Sequence, residues 1–397
     1  MLTKKLSINR NLYAIRAYYF LWFGANGSLS PFAPLFYKAQ GLTGTEIGLL
    51  STTAALVGML IAPIWGRQGD RSSHPRRLLK YALFGSACLT LIRGMQSYFW
   101  WIALVLIFEG LISSGIGALS NAQALAAVHG EKSGFGSIRL WGSLGWAAAS
   151  PLIGWLIERT NLFVPFAGYA VMILLGLVAL QFMLPEEGHL QSRAAVPHVP
   201  LGQVVRSLGS NRAVVGLFVA FFFMWATAMG RQQFESIYIV QLGGQTGTVG
   251  LLNMVGALIE PPFMLLADRY VRRWGPGRVV CLAMFLQGVA ILPVVFFPRV
   301  ESFFILKLLF SMAFAFLVVS YTTFLMQDAP EGQGSTVISL FEVTLRNGVS
   351  LVCAPLAGVL FDSIGVHWLY VIAMGGNLLG AAVLVFTTLP AKTRSGV

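Results

Sequence analysis

Charge, cysteine and histidine are what this chain has little of. Only 11% of its 397 residues are charged and only 15 are acidic, where a soluble domain carries about 25% charged residues. That deficit excludes a water-soluble body, which needs a charged surface. Cysteine occurs three times, at Cys88, Cys281 and Cys353, each inside an apolar stretch and none at short spacing from another. Neither a disulfide framework nor a cysteine metal site fits that pattern, and the three residues read as small packing groups. The five histidines, His74, His129, His189, His198 and His367, fall in loops or at helix ends. No HExxH, paired aspartate or Ser/His arrangement lies within the apolar runs, so an intramembrane enzyme is not expected. No phosphate-binding loop or soluble nucleotide domain is visible, which argues against an ATP-driven pump. No cofactor and no metal are expected.

What is present is apolar mass: 56% of the residues are hydrophobic. One membrane-spanning helix needs roughly 20 such residues, and the runs place helices near 12–36, 46–66, 78–98, 101–127, 137–158 and 162–184. A second set follows near 213–241, 247–267, 278–297, 302–326, 335–361 and 366–389. The expectation is an all-α membrane protein of twelve helices in two six-helix bundles, 1–184 and 213–397. The polar stretch 185–212, with Glu186, Glu187, Arg193, Pro197, Pro200 and Arg206, reads as a cytoplasmic linker between them. The apolar run after Lys4, Lys5 and Arg10 is longer than a signal-peptide core and lacks a convincing cleavage site, so it reads as the first span.

The formal net charge of +12 is explained by topology. Lys and Arg concentrate in cytoplasmic loops, and with the N-terminus inside they do so here. Lys4, Lys5, Arg10, Arg67, Arg71, Arg76, Arg77, Lys80, Lys132, Arg193, Arg206, Arg212, Arg269, Arg272, Arg273, Arg278, Lys392 and Arg394 then lie inside. Only Lys38, Arg159 and Arg299 lie in outer loops. Both termini are expected in the cytoplasm, the chain in the inner membrane, and nucleic acid is not an expected partner. A monomer in the lipid bilayer suffices.

The halves echo each other. Pro63 to Asp70-Arg71 recurs, at the same spacing, as Pro261 to Asp268-Arg269, an offset of 198 residues. Pro151-Leu-Ile-Gly-Trp-Leu-Ile-Glu158 recurs as Pro355-Leu-Ala-Gly-Val-Leu-Phe-Asp362. Internal repeats around a midplane site are how many secondary transporters are built.

Gly66-Arg-Gln-Gly-Asp70-Arg71, followed by Arg76 and Arg77, resembles the loop signature between the second and third helices of the major facilitator superfamily. Ser72-Ser-His-Pro75 replaces its usual shorter turn. The resemblance implies a gate in which Gly66, Asp70, Arg71, Asp268 and Arg269 make and break charge pairs at helix ends. Phe135-Gly136-Ser-Ile-Arg139-Leu-Trp141-Gly142-Ser-Leu-Gly145-Trp146 is similar to the start of helix five in the lactose-permease group of oligosaccharide/proton symporters. Arg139-Leu-Trp-Gly-Ser143 is still more similar to the phenylpropionate permease branch. Pro31-Phe-Ala-Pro34, Gln232-Gln233-Phe234 and Ile305-Leu-Lys307 fit the same pattern. By this resemblance Arg139 contacts substrate, Trp146 is the ring on which a sugar stacks, and Asn121 stands where the partner carboxylate of Arg139 is usual. Phe310 and Ala313 replace the helix-ten histidine and glutamate, Arg231 replaces an aspartate, Lys307 is kept and Arg346 matches a lysine. Lactose and its proton relay are therefore not implied.

Independently of family, Arg16, Arg93, Glu109, Arg139, Arg231, Glu235, Glu260, Lys307, Glu342 and Arg346 fall within apolar runs. Each costs roughly 2.5–3.5 kcal/mol at a helix centre, so such groups face a wet cavity or one another. Arg231 and Glu235 stand one turn apart, as do Glu342 and Arg346, and Lys307 can join them. These are either self-neutralising structural pairs or a substrate and proton site. Asn121, Arg139, Trp146, Arg231, Glu235, Lys307 and Arg346 are the candidate substrate contacts. Glu109 and Glu260, with no cation one turn away, and Glu342 are the candidate proton carriers. Arg93 and Arg16, toward helix ends, fit snorkelling. Six cations against four acids favour an anionic or polyhydroxyl solute. Proton-coupled uptake of a small molecule is the first expectation and proton-antiport efflux the second.

Overall fold

The structure is a computed structural model that describes residues 2–72, 74–128, 134–183, 208–209, 211–328, 337–338 and 340–388. The expected linker at 185–212 therefore lies largely outside the described residues. In chain order the helices are α1 (Leu2–Leu29), α2 (Ala33–Ala39), α3 (Gly44–Arg71), α4 (Pro75–Gly94), α5 (Phe99–Ser113), α6 (Ile116–Val128), α7 (Phe135–Arg159) and α8 (Val164–Gln181). They continue as α9 (Arg212–Gln241), α10 (Thr246–Trp274), α11 (Pro276–Phe296), α12 (Val300–Asp328), α13 (Arg346–Ile364) and α14 (Val366–Thr388), with a π-helical turn at Leu340–Leu345 leading into α13. No strand occurs among the described residues.

Three breaks reconcile this list with twelve spans. Proline lacks an N–H and ends helices, and Pro31 lies between α1 and α2, which together make the first span. The fourth span breaks between α5 and α6, where Gly115 leaves room that a Cβ would fill against the Trp65 ring. The eleventh is the π turn plus α13. Ten helical stretches are long and apolar enough to cross a membrane. The other two spans begin at α1 and α4, whose Lys and Arg dilute their apolar content. The repeat is visible in the helices themselves: Pro63 and Pro261 lie inside α3 and α10, Pro151 and Pro355 inside α7 and α13.

The chain forms two compact units, Met1–Gln191 with Ser236–Leu258, and Ser192–Glu235 with Ile259–Val397. In the first, α1 packs on α7 and α8, and α4 on α5 and α8. Glycines permit the tightest approach, since a Cβ on Gly145 of α7 would run into the Phe20 carbonyl of α1. The first turns of α10 belong to this unit for the same reason. Cβ atoms on Gly154 or Gly250 would strike the Thr246 or Ser150 carbonyl, Thr246 Oγ1 donates to the Gly154 carbonyl at 2.7 Å, and the Gly247 N–H donates to Glu158 at 2.5 Å. In the second unit α11 packs on α12 and α14, and Phe221, Trp225, Tyr321 and Phe341 form an aromatic core with centroids 4.7–5.2 Å apart. Thr43 and Glu46 close a reciprocal capping box at the start of α3. Large side chains such as Trp100, Leu265, Phe296 and Phe386 stay exposed, a surface that lipid covers at no hydrophobic cost.

Candidate functional site

In the second unit the α9 sequence Arg231-Gln-Gln-Phe-Glu235 sets a cation and an acid one turn apart. The pair is buried, with Arg231 only 4% exposed. Arg231 Nη1 lies 3.3 Å from Glu235 Oε2, and Lys307 Nζ of α12 reaches Glu235 Oε1 at 2.5 Å. One carboxylate is thus shared by two cations, leaving a net positive charge in a low-dielectric place. The Arg231 guanidinium stacks over the Phe310 ring at 4.2 Å, a favourable cation–π geometry. Its Nε is buried and has no acceptor among the described residues. Arg16 Nε and Arg93 Nε are buried without an acceptor too, so the orphaned N–H alone does not single this cluster out; the excess of cations over acids does.

Glu342 has a different fate from the one expected. Glu342 lies in the π-helical turn Leu340–Leu345 that leads into Arg346. Glu342 instead accepts from the Tyr321 hydroxyl of α12. No ion pair joins Glu342 to Arg346 among the described residues, which corrects the expected one-turn pair; Arg346 is exposed. Glu260 is half-buried on α10, immediately before Pro261 and Pro262.

In the first unit the Arg139 guanidinium sits 4.2 Å over the Phe23 ring, and its Nη1 lies 3.4 Å from Ser143 Oγ. Asn121 Oδ1 accepts from the Tyr19 hydroxyl at 2.8 Å, and Arg16 reaches Ser137 Oγ at 3.4 Å. Trp146 is half-buried on α7, and Gly27 of α1 lets its backbone come close, a Cβ there standing 3.0 Å from the Trp146 Cα. Arg139 and Trp146 lie along the α1–α7 seam, and Asn121 of α6 reaches it through Tyr19.

Glu109 is not a lone carboxylate. Although no cation lies one turn away on α5, Arg93 of α4 reaches it at 3.4 Å and the Thr90 hydroxyl donates to it at 3.0 Å. Arg93 is 7% exposed and lies over the Phe166 ring at 5.5 Å. The snorkelling expectation for Arg93 is therefore wrong: helix-to-helix pairing holds it inside. Among the expected gate residues Gly66 is half-buried, Arg71 and Arg269 are exposed, and Asp268 pairs with Arg272 one turn on. The Asp70 side chain lies outside the described residues.

Comparison with known proteins places this architecture. A family model described as "MFS_1 like family" matches residues 12–372. The chain belongs to that family, within the major facilitator superfamily. It is 26% identical to the maltose permease of Geobacillus stearothermophilus, over 93% of this chain and 92% of that protein. It is also 26% identical to the multidrug resistance protein MdtG of Salmonella paratyphi C, over 94% of each. A crystal structure of the nucleoside transporter NupG superposes with a TM-score of 0.83 over 96% of this chain and 99% of that one, at 12% identity. The fold is the twelve-helix major facilitator fold, and the protein is a multi-pass membrane transporter.

Of the residues expected at the site, this transporter brings together Arg231, Glu235 and Lys307 in one cluster, and gathers Asn121, Arg139 and Trp146 along one seam. It leaves Glu342 and Arg346 without an ion pair between them among the described residues and pairs Glu109 with Arg93. Tyr19, Tyr321 and Thr90 were not anticipated. Each acts through a contact between different helices, for which the linear pattern carries no signal. Phe310 was noted only as the replacement for a histidine, and its stacking on Arg231 needs the α9–α12 register.

Proposed function

We propose that this transporter couples uptake of a small polar or anionic solute, a sugar, oligosaccharide or aromatic carboxylate, to proton entry by alternating access. It works as a monomer in the inner membrane with both termini cytoplasmic, and uses no cofactor. The observation that carries the reading is the buried Arg231–Glu235–Lys307 cluster. Two cations on one acid inside a span demand a further negative or hydrogen-bonding partner, and Arg231 Nε has no acceptor of its own. A carboxylate or vicinal hydroxyls of the solute meet that demand by competing with Glu235 for Arg231 and Lys307. Arg346 is a further candidate contact in the second unit, and in the first unit Asn121, Arg139 and Trp146 are the candidate contacts, Trp146 as a stacking face.

Proton coupling falls to Glu342 and Glu260. Glu342 accepts from the Tyr321 hydroxyl rather than from a guanidinium. Glu109 is the weaker third candidate, since it is already engaged by Arg93 and Thr90. Gly66, Asp70, Arg71, Asp268 and Arg269 serve the gate, where charge pairs at helix ends break and reform.

Right-side-out vesicles given labelled sugars and aromatic carboxylates, with and without an uncoupler, test the reading. Uphill accumulation that an uncoupler abolishes is expected; accumulation that survives full collapse of the proton gradient refutes symport. The second reading is proton-antiport efflux, which the equal identity to MdtG favours. Gradient-driven uptake confined to everted vesicles would establish it instead.

A further inference from the structure

Two grooves in the second unit, remote in sequence from the Arg231 cluster, flank the last turns of α14. The one between α14 and α9, about 430 Å³, starts at Arg212 and runs past Val215 to Val219. Its floor is Gly216 against Thr387, where a Cβ would collide with the threonine side chain. The one between α14 and α11, about 570 Å³, starts at Arg278 and runs past Leu282 to Phe285, with Ala382 and Val385 as its far wall. Each covers two helical turns, roughly 10 Å at 1.5 Å per residue. The flanking side chains Val215, Val219, Leu282, Phe285 and Val385 are 40–47% exposed, so both troughs open to the surroundings.

The two grooves share a polarity. Arg212 is the first residue of α9 and Arg278 the third of α11, and helices two spans apart start on the same side of a membrane. Both basic ends therefore lie on one side, which the Lys and Arg distribution makes the cytoplasmic one. Arg278 is exposed and makes no ion pair among the described residues. Arg212 gives one N–H to the Phe386 carbonyl at 3.3 Å, and a guanidinium has five. The same end of this unit exposes Arg269, Arg272 and Arg273 against Asp268, whereas at the α11–α12 junction, at the opposite end, one cation, Arg299, stands beside one acid, Glu301.

We propose that these grooves hold the acyl chains of an anionic phospholipid from the cytoplasmic leaflet, its phosphate bound by Arg212 and Arg278. Basic pockets between spanning helices on that side select anionic headgroups, and the troughs supply the built apolar part that an ordinary lipid-facing surface lacks. The assignment does not depend on the solute or on its coupling.

Native mass spectrometry of the full-length protein in detergent tests it, with phosphatidylglycerol and phosphatidylcholine of identical chains as probes. Phosphatidylglycerol adducts should survive a delipidating wash that strips phosphatidylcholine, and excess glycerol phosphate should not displace them. R212Q/R278Q should lower retention to the phosphatidylcholine level while R299Q leaves it unchanged. Ala382→Trp keeps both arginines but fills a groove, and should also lower retention. Equal retention of the two lipids overturns the proposal. So does full phosphatidylglycerol retention by R212Q/R278Q, or by Ala382→Trp should the arginine variant fail to fold.

Discussion

The two buried charge clusters answer the same physical problem in opposite ways. Arg93 and Glu109 in the first unit match one cation to one acid, with Thr90 adding a hydrogen bond, and the sum is neutral. Arg231, Lys307 and Glu235 in the second unit match two cations to one acid, and the sum is positive. Each cluster leaves a buried Nε without a hydrogen-bond acceptor among the described residues, so that feature does not separate them. The uncompensated charge does: a positive cluster is incomplete without something that arrives. Burial alone therefore does not distinguish a structural charge from a working one, whereas the local charge balance does.

The largest effect should come from unbalancing the closed pair. Arg93→Gln leaves Glu109 buried without its cation, and breaking such a pair costs about 3–5 kcal/mol. The detergent-purified protein should melt at a markedly lower temperature, and R93Q/E109Q should recover most of the loss. An unchanged melting temperature for R93Q would remove the contrast between the clusters. Arg231→Gln should do the reverse, because it leaves the neutral Glu235–Lys307 pair. Melting should hold while solute exchange in de-energised proteoliposomes falls about tenfold or more, the equivalent of at least about 1.4 kcal/mol of binding. Normal exchange by R231Q would sink the proposed solute site.

How legible these features are in the sequence depends on whether one helix carries them. The spans were readable because apolar mass marks each in isolation, and the Pro63/Pro261 and Pro151/Pro355 echoes were readable because they repeat at fixed spacing. Arg231 and Glu235 were found because i, i+4 neighbours on one helix share a face. Glu342 and Arg346 have the same spacing but form no ion pair among the described residues, because Glu342 takes the Tyr321 hydroxyl of α12 instead, a partner the one-helix pattern does not show. Arg93 and Glu109 lie on different helices, and only the α4–α5 packing makes them partners. Lys307 was anticipated through its place in the permease-like pattern, yet its approach to Glu235 depends on α12 standing against α9.

A smaller effect should follow from Tyr321→Phe, and it sharpens the contrast between an acid pinned by cations and one held by a neutral group. The change deletes one hydroxyl from an aromatic core whose rings stay in place. The loss is confined to the bond to Glu342, whose carboxylate is exposed and can take a replacement donor, so the cost stays at about 0.5–1.5 kcal/mol. Proton-driven uptake by Y321F should fall clearly below wild type, while gradient-free solute exchange and melting change little. The matching change at the first pair, Thr90→Val, also removes one hydroxyl from a carboxylate, but Arg93 still pairs with that acid. Its proton-driven uptake should stay at the wild-type level. If Y321F and T90V lower proton-driven uptake equally, Glu342 has no special part in coupling, and the distinction between the two regions would have to rest on the Arg231 cluster alone.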